Sequence, residues 1–280
     1  MTAPEHAPFV TFLSDFGTSD DFAGICHGVI NLVCPDARVI HVTHGIQPQA
    51  IGQGARVLAG AIRYLPVGVH LAVVDPGVGS ERRAVALRSR DGRHFVGPDN
   101  GLLMPAAEAC GGVVEAVSIT NPDVMLQPVS RTFHGRDVFA PAAARLAGGM
   151  PLAELGPAIE PSQLVRRSTP DHHVEGTLLH AAVQYIDRFG NIQLAVSAAE
   201  LDGLFRLGRV AEIDTGDDRY YARCADTFAD VGAGEFVLYE DSVGLLSFAL
   251  NQGNAAELTA TEVGDEIAVE LAPSVSREST

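Results

Sequence analysis

The sequence predicts an α/β fold followed by a second, all-β domain, and three observations carry that prediction. Apolar, strand-like runs alternate with helix-like periodicities over the first 75 residues. A proline-containing stretch with few long apolar runs follows near residues 161–173. Beyond it the chain breaks into short β segments separated by Gly and Asp turns. With 280 residues there is length for one large domain or two modest ones. The boundaries read as 1–160 for an N-terminal α/β domain and 174–280 for a C-terminal β domain, with a linker at about 161–173.

The first element, "PFVTFLSD" (Pro8 to Asp15), reads as a buried strand ending in a carboxylate. "TSDDFAGICHGVINLV" follows as a helix: Phe22, Ile25, Val29 and Leu32 recur at helical spacing, and Thr18, Ser19 or Asp20 is positioned to cap it. "ARVIHVTHGI" is a second strand and "IGQGARVLAGAIRYL" a second helix, whose small residues allow close packing on a sheet. "VHLAVVD" is a third strand, again ending in aspartate. Strands that are apolar throughout, in β-α-β-α-β order, predict a parallel or mixed sheet covered by helices. "AVALRSRDGRHFVGPDNGLL" reads as a hairpin around a DG turn, and "HGRDVFAPAAARLAGG" as a helix stopped by glycines. In the second domain "GTLLHAAVQYID", "GRVAEID", "RYYARCA", "EFVLYED", "GLLSFAL" and "DEIAVEL" are the strands of a sandwich or barrel.

Composition excludes several classes of function. The chain holds 19 basic residues, all of them arginine, against 35 acidic ones, and the arginines are scattered. A nucleic-acid or anionic-membrane surface needs clustered cations, so neither partner is expected. No apolar run reaches the ~18 residues of a membrane span. The opening "MTAPEHAPFVTF" lacks the basic region and apolar core of a signal peptide, so the expected location is cytoplasmic. The four cysteines, Cys26, Cys34, Cys110 and Cys224, have no CxxC spacing and read as small buried thiols. HExxH, P-loop and GxGxxG patterns are absent, so no metal or nucleotide cofactor is expected.

Candidate chemistry gathers at a few places. Asp15 and Asp75 end two strands, and ligands of open α/β sheets sit beyond the carboxyl ends of strands. Aspartate before proline or at a helix start is also ordinary turn chemistry. "DPGVGSERR" brings a Gly-rich turn and two arginines after Asp75, while His134 and Asp137 stand at a helix start, where capping and packing are the competing roles. "YIDRFGNIQ" places Asp187, Phe189 and Asn191 around a turn, and an asparagine amide carries the donor and acceptor that match an adenine edge.

Taken together and in order, "SDFGTSDDFAG", "VVDPGVGSERR", "FVGPDNGLL", "TFHGRDVFAPAAARLA", "IDRFGN" and "TFADV" resemble the S-adenosyl-L-methionine (SAM) hydroxide adenosyltransferase family, adenosine-forming SAM hydrolases related to the fluorinase and chlorinase. The resemblance implies an N-terminal α/β domain and a C-terminal β-barrel. It also implies a homotrimer with sites at subunit interfaces, SAM as substrate rather than cofactor, and adenosine and methionine as products. It assigns catalysis to Asp75, Arg82 and His134, with Arg83 adjacent to Arg82 and open to the same role. It places Asp15 on the ribose diol, Asp20 and Asp187 near the methionine end, Asn191 on adenine and Phe228 as an aromatic wall. Ser242 matches the serine at the methionine carboxylate, but Val243 stands where the fluorinase has arginine, and Ser168 stands where the fluorinase has an asparagine. The halogenases have tyrosines in place of Asp75 and His134, a halide-binding serine in place of Gly135, and an extra loop that this chain lacks. Two alternatives to hydrolysis remain: a SAM-dependent halogenase, and a SAM or adenosine sensor without turnover, which would not need the Asp–Arg–His set.

Overall fold

The computed structural model describes residues 8–167, 172–216 and 218–271, so Ser168 lies outside the described residues. The chain divides into two compact units, residues 1–167 and 168–280. Residues 161–167 therefore fall with the first unit, and His172–Glu175 form a strand of the second.

The first unit is a six-stranded mixed sheet with helices on both faces. In chain order its elements are β1 (Phe9–Ser14), α1 (Phe22–Val33), β2 (Arg38–Thr43), α2 (Ile51–Ala61), β3 (Val69–Val73), β4 (Ala84–Ser89), β5 (His94–Pro98), α3 (Met104–Ala109), β6 (Val113–Ser118) and α4 (Ala140–Ala147). The strand order is β2-β1-β3-β5-β4-β6. β2, β1, β3 and β5 run parallel, and β4 is antiparallel to both β5 and β6. Alternation along β1 and β3 explains why both read as unbroken apolar runs. Val10, Phe12, Leu71 and Val73 enter the core under α1 and α4, whereas Leu13, Ala72 and Val74 enter the core under α2 and α3. The Asp91–Gly92 turn closes the β4–β5 hairpin as the sequence suggests, with Gly92 at φ 89°. The pattern gives no sign of α3 and β6, which are short.

Two local expectations are corrected. Thr18, Ser19 and Asp20 do not cap α1: the N-cap is Asp21, without a side-chain cap bond, and the first turn closes through Ile25 N–H donating to Asp21 O at 2.8 Å. The helix expected from His134 opens as a π-turn over Gly135–Phe139 before α4. Pro141 lacks the N–H that an α-helix would aim at Asp137 O. That carbonyl accepts instead from Leu126 N at 2.8 Å, which pins the preceding loop to the turn.

The second unit comprises β7 (His172–Glu175), β8 (Leu178–Ile186), β9 (Ile192–Ser197), β10 (Val210–Asp214), β11 (Arg219–Cys224), β12 (Phe236–Glu240), β13 (Leu245–Leu250), α5 (Ala255–Thr259) and β14 (Glu266–Glu270). The order β14-β10-β11-β12-β13-β9-β8 closes on itself through β14–β8 pairing, a seven-stranded barrel with β7 added to β8. Its interior is filled by Leu179, Val183, Ile192, Leu194, Phe248 and Ile267 among others. All neighbours are antiparallel except β11 and β12. A parallel pair cannot be joined by a tight hairpin, so the chain crosses over through residues 225–235, and that crossover carries Phe228.

Candidate active site

Parallel pairing of β1 with β3, Ser14 opposite Val73, sets the carboxyl ends of both strands at one edge of the sheet. Asp15 follows β1 there, and Asp75 stands two residues past the end of β3. Asn100 steadies this end of β3 by donating from Nδ2 to Val74 O at 2.9 Å. After Asp75 the chain reverses through Gly77–Gly79. Gly79 sits at φ 77° against the carbonyl of Arg131, where a Cβ would collide with that oxygen. The reversal returns Arg82 to Asp75.

Asp75, Arg82 and His134 form one hydrogen-bonded array. Arg82 Nε donates to Asp75 Oδ1 at 2.8 Å and Oδ2 at 3.0 Å, and Arg82 Nη2 also donates to Asp75 Oδ2. The pair is nearly sealed, with side-chain exposures of 11% for Arg82 and 6% for Asp75. The second Nη2 bond, 2.8 Å, reaches His134 Nδ1. Phe139 lies beneath the guanidinium, its ring centroid 5.1 Å from Arg82 Cζ. A guanidinium has no acceptor, so His134 Nδ1 must accept and the ring proton sits on Nε2. Burial, and then the Arg82 charge, hold the His134 imidazole below its usual pKa against the opposing pull of Asp75 and Asp137. The array therefore joins a guanidinium, paired with Asp75, to a neutral imidazole whose Nε2–H can donate to an oxygen. A cavity of about 290 Å³ borders Arg82, His134, Thr120, Met125 and Val138.

The two adjacent arginines have different partners. Arg83 Nε donates to the buried carboxylate of Asp99 at 2.8 Å, and its Nη2 donates to Gln163 O. Arg82 alone joins the array.

Asp15 is oriented by a residue that the sequence did not single out. Gln49 N–H donates to Asp15 Oδ2 at 2.9 Å from a left-handed backbone, φ 67°. A non-glycine residue held there is strained, and the bond leaves Oδ1 outside that contact. Asp20 is exposed in the bend before α1.

In the barrel unit, the β8–β9 turn is built on Asp187. Its Oδ1 accepts from Phe189 N at 2.8 Å and Asn191 N at 3.0 Å, and its Oδ2 accepts from Asn191 Nδ2 at 2.8 Å. Asp187 is thus the scaffold of the turn. Because a carboxylate only accepts, this contact fixes the amide orientation and leaves Asn191 Oδ1 and one N–H outside it. Asn191 and Phe228 line one cavity of about 410 Å³ together with Phe189, Leu250, Asn251 and Gln252. Two partly exposed aromatic rings and an amide make a shape suited to a flat heterocycle with a hydrogen-bonding edge. The sequence places Phe189 in this turn but assigns it no role, because an exposed aromatic in a turn carries no periodic signal. Ser242 is exposed in the β12–β13 turn and is not among the residues lining this cavity.

All four cysteines are buried and free, and burial pushes Cys26 up to about 12 and Cys224 to about 11. Among the described residues no group of three or more His, Cys, Asp or Glu could hold a metal ion, and no helix is long and apolar enough to cross a membrane.

The fold and these contacts define a two-unit protein, an α/β layer followed by a β-barrel, with an Asp–Arg–His array at a strand end. Residues 10–156 match the SAM hydroxide adenosyltransferase N-terminal domain, and residues 181–268 match the C-terminal domain of the same family. The chain belongs to the SAM hydroxide adenosyltransferase family. It is 50% identical over 262 residues to the (R)-S-adenosyl-L-methionine hydrolase of Salinispora tropica, covering 94% of this chain and 97% of that one. It is 39% identical to the enzyme of that name from Thermus thermophilus, covering 91% and 96%. A fluorinase from an Actinoplanes species is 29% identical, over 87% and 91%. Among solved structures, an uncharacterized conserved protein from Thermotoga maritima superposes with a TM-score of 0.86 at 33% identity, over 93% of this chain and 99% of that one.

Proposed function

We propose that this protein is a cytoplasmic hydrolase that converts SAM to adenosine and L-methionine. Water adds its oxygen to the ribose C5′, the C5′–S bond breaks, its electron pair returns to sulfur, and one proton is released. The observation that carries this reading is the continuous Asp75–Arg82–His134 array beside Asp15. The leaving group is a neutral thioether and needs no acid. The difficulty lies in the nucleophile, because water is weak. The Arg82 charge and the Nε2–H of His134 hold its oxygen and favour the hydroxide form, while Asp75 fixes the guanidinium. Asp15 takes the ribose diol, Asp20 and Asp187 lie toward the methionine end, Asn191 and Phe228 take adenine, and Ser242 takes the carboxylate.

Hydrolysis is favoured over halogenation by Gly135. A Cβ at this position would lie 2.9 Å from Phe16 Cζ, so a serine there requires the Phe16 ring to shift. Purified protein incubated with SAM should give adenosine and methionine in equal amounts by chromatography. A 5′-halo-5′-deoxyadenosine formed in high chloride, or no turnover, would count decisively against the reading.

The site is completed across subunits of a homotrimer, the first unit of one chain meeting the barrel of its neighbour. Light scattering should then return a trimer mass, with activity lost on dilution into monomer. A fully active monomer would sink this assembly.

Asn191→Ala should weaken adenosine and SAM binding together by about 10–100-fold, because adenine's polar edge is left unpaired. Calorimetry with adenosine reads this directly, and an unchanged affinity would remove Asn191 from the adenine site. Since Asn191 Nδ2 also donates to Asp187, a melting curve of Asn191→Ala beside the calorimetry separates loss of the turn from loss of the adenine contact.

A further inference from the structure

A chain of three imidazoles runs from the outer edge of the first unit to the strand end that carries Asp15. His27 of α1 meets His41 of β2 through Nδ1···Nε2 at 2.9 Å, and His41 meets His44 through Nδ1···Nε2 at 2.6 Å. His44 Nδ1 then lies 2.7 Å from Ser14 Oγ, and both of these residues are buried. The inner end is tied to the loop after β1 twice: Phe16 N donates to Ser14 Oγ at 3.3 Å, and Gly17 N donates to His44 O at 2.8 Å. We propose that His41 and His44 are positioning residues for Asp15, a brace whose hold on the ribose-binding loop weakens when the histidine chain takes up protons.

The argument is a count of hydrogens. Each of the three contacts needs one hydrogen between its two atoms. With all rings neutral, Ser14 Oγ–H donates to His44, His44 Nε2–H to His41, and His41 Nε2–H to His27, and every contact is filled; the reverse set, in which each Nδ1–H donates, gives the buried Ser14 hydroxyl hydrogen no acceptor among these groups. One added proton, on whichever ring, leaves His44 Nδ1–H in the innermost contact and displaces the buried Ser14 hydroxyl hydrogen from its acceptor. A second proton puts two hydrogens into one contact. Each step disturbs the atoms that tie down Phe16 and Gly17, the residues next to Asp15. The surroundings give a proton no compensation. Phe12 of β1 packs on His44 and His41 with centroids at 4.7 and 6.0 Å, α1 contributes only His27 to the chain, and no carboxylate is ion-paired to any of the three rings among the described residues. Burial and the neighbouring imidazoles accordingly hold both His41 and His44 below the usual value, His44 at about 4.

This inference rests on the reading of Asp15 as the ribose contact, so its test includes a measurement independent of turnover. The KM for SAM and the Kd for adenosine are measured between about pH 8 and about pH 4.5, a range that reaches the lowered histidines of the chain. In the wild type both should rise roughly 3–10-fold on acidification, the scale of one lost hydrogen bond, with kcat changing less. His41→Asn keeps an amide atom where Nδ1 meets His44 but cuts the ring chain, so protons taken up at His27 no longer reach Ser14 and the pH dependence of both constants should shrink. An unchanged pH dependence in His41→Asn, or none in the wild type, overturns the brace. Should His41→Asn fail to fold, the Gly17 amide resonance of the wild type decides: it must titrate together with the histidine rings, and an invariant resonance overturns the proposal. Adenosine binding that follows pH without SAM turnover sinks the hydrolase reading and leaves the brace standing. Turnover with a pH-indifferent KM does the reverse, and failure to bind either ligand overturns both.

Discussion

His134→Ala is expected to lower kcat for SAM hydrolysis by about 10²–10⁴-fold, the range of a positioned group acting on the reacting atoms, with KM changed far less. Asp75→Asn should be at least as harmful. The carboxamide keeps the shape but turns an N–H toward the guanidinium that Asp75 now grips through both oxygens. Arg82 must then turn, and its bond to His134 Nδ1 is lost with it. Because the three groups act as one array on one oxygen, the double variant should lose much less than the product of the single losses. Removing one partner of a nearly buried ion pair also destabilises a protein by about 3–5 kcal/mol, so melting curves belong beside the kinetics. Full turnover in His134→Ala, or equal losses of binding and rate in Asp75→Asn, would reassign these residues to ribose contact or structure.

The second large effect is a loss of stability in acid. His70 is fully buried in β3, its Nδ1 2.8 Å from Thr11 Oγ1, and desolvation holds it at about 3. His44 is held at about 4 by burial first and His41 second. Both native values lie below the 6.5 of an unperturbed imidazole, so between these limits the unfolded chain binds more protons than the native one. Stability is then complete above about pH 6.5 and falls as the pH drops toward the native values. At pH 5 each ring should have cost about 2 kcal/mol, roughly 4 together. His41, His94 and His134 are lowered too and act in the same direction. Urea titrations at pH 7.5 and pH 5 read the difference. His70→Asn, which keeps a polar atom toward Thr11, should remove close to half of it, whereas equal stability at the two pH values would mean that these rings are not buried neutral.

Much of this site is readable along the chain because its ingredients are local. An apolar run that ends in aspartate marks Asp15 and Asp75 as strand-end carboxylates. A Gly-rich turn after Asp75 announces a reversal, and Gly79 at φ 77° makes it. Asp187 and Asn191 stand four residues apart around a turn, and a carboxylate that gathers the turn's own N–H groups needs no distant partner. Helical spacing does not reveal the π-turn at Gly135–Phe139, since the donor that breaks the helix pattern there is Leu126, from another loop. Nor could composition show that "HVTH" links two rings to a third on α1, because strand alternation and helix packing together set those distances.

The sequence by itself determined the layered α/β unit, the β unit after it, and the residue types gathered at the strand ends, because periodicity, turn chemistry and strand termination act over a few neighbours. Tertiary structure alone decided which arginine joins the array. Arg82 and Arg83 are adjacent and chemically identical, and successive residues in extended backbone point to opposite sides. The pairing of β4 with β5 and β6 sets which side faces which partner. It turns Arg82 to Asp75 and to His134, 52 residues away in the chain, and sends Arg83 to Asp99. That same contact fixes the His134 tautomer, a property no single stretch of sequence contains, since it depends on a donor and an acceptor that only the folded sheet brings within 2.8 Å.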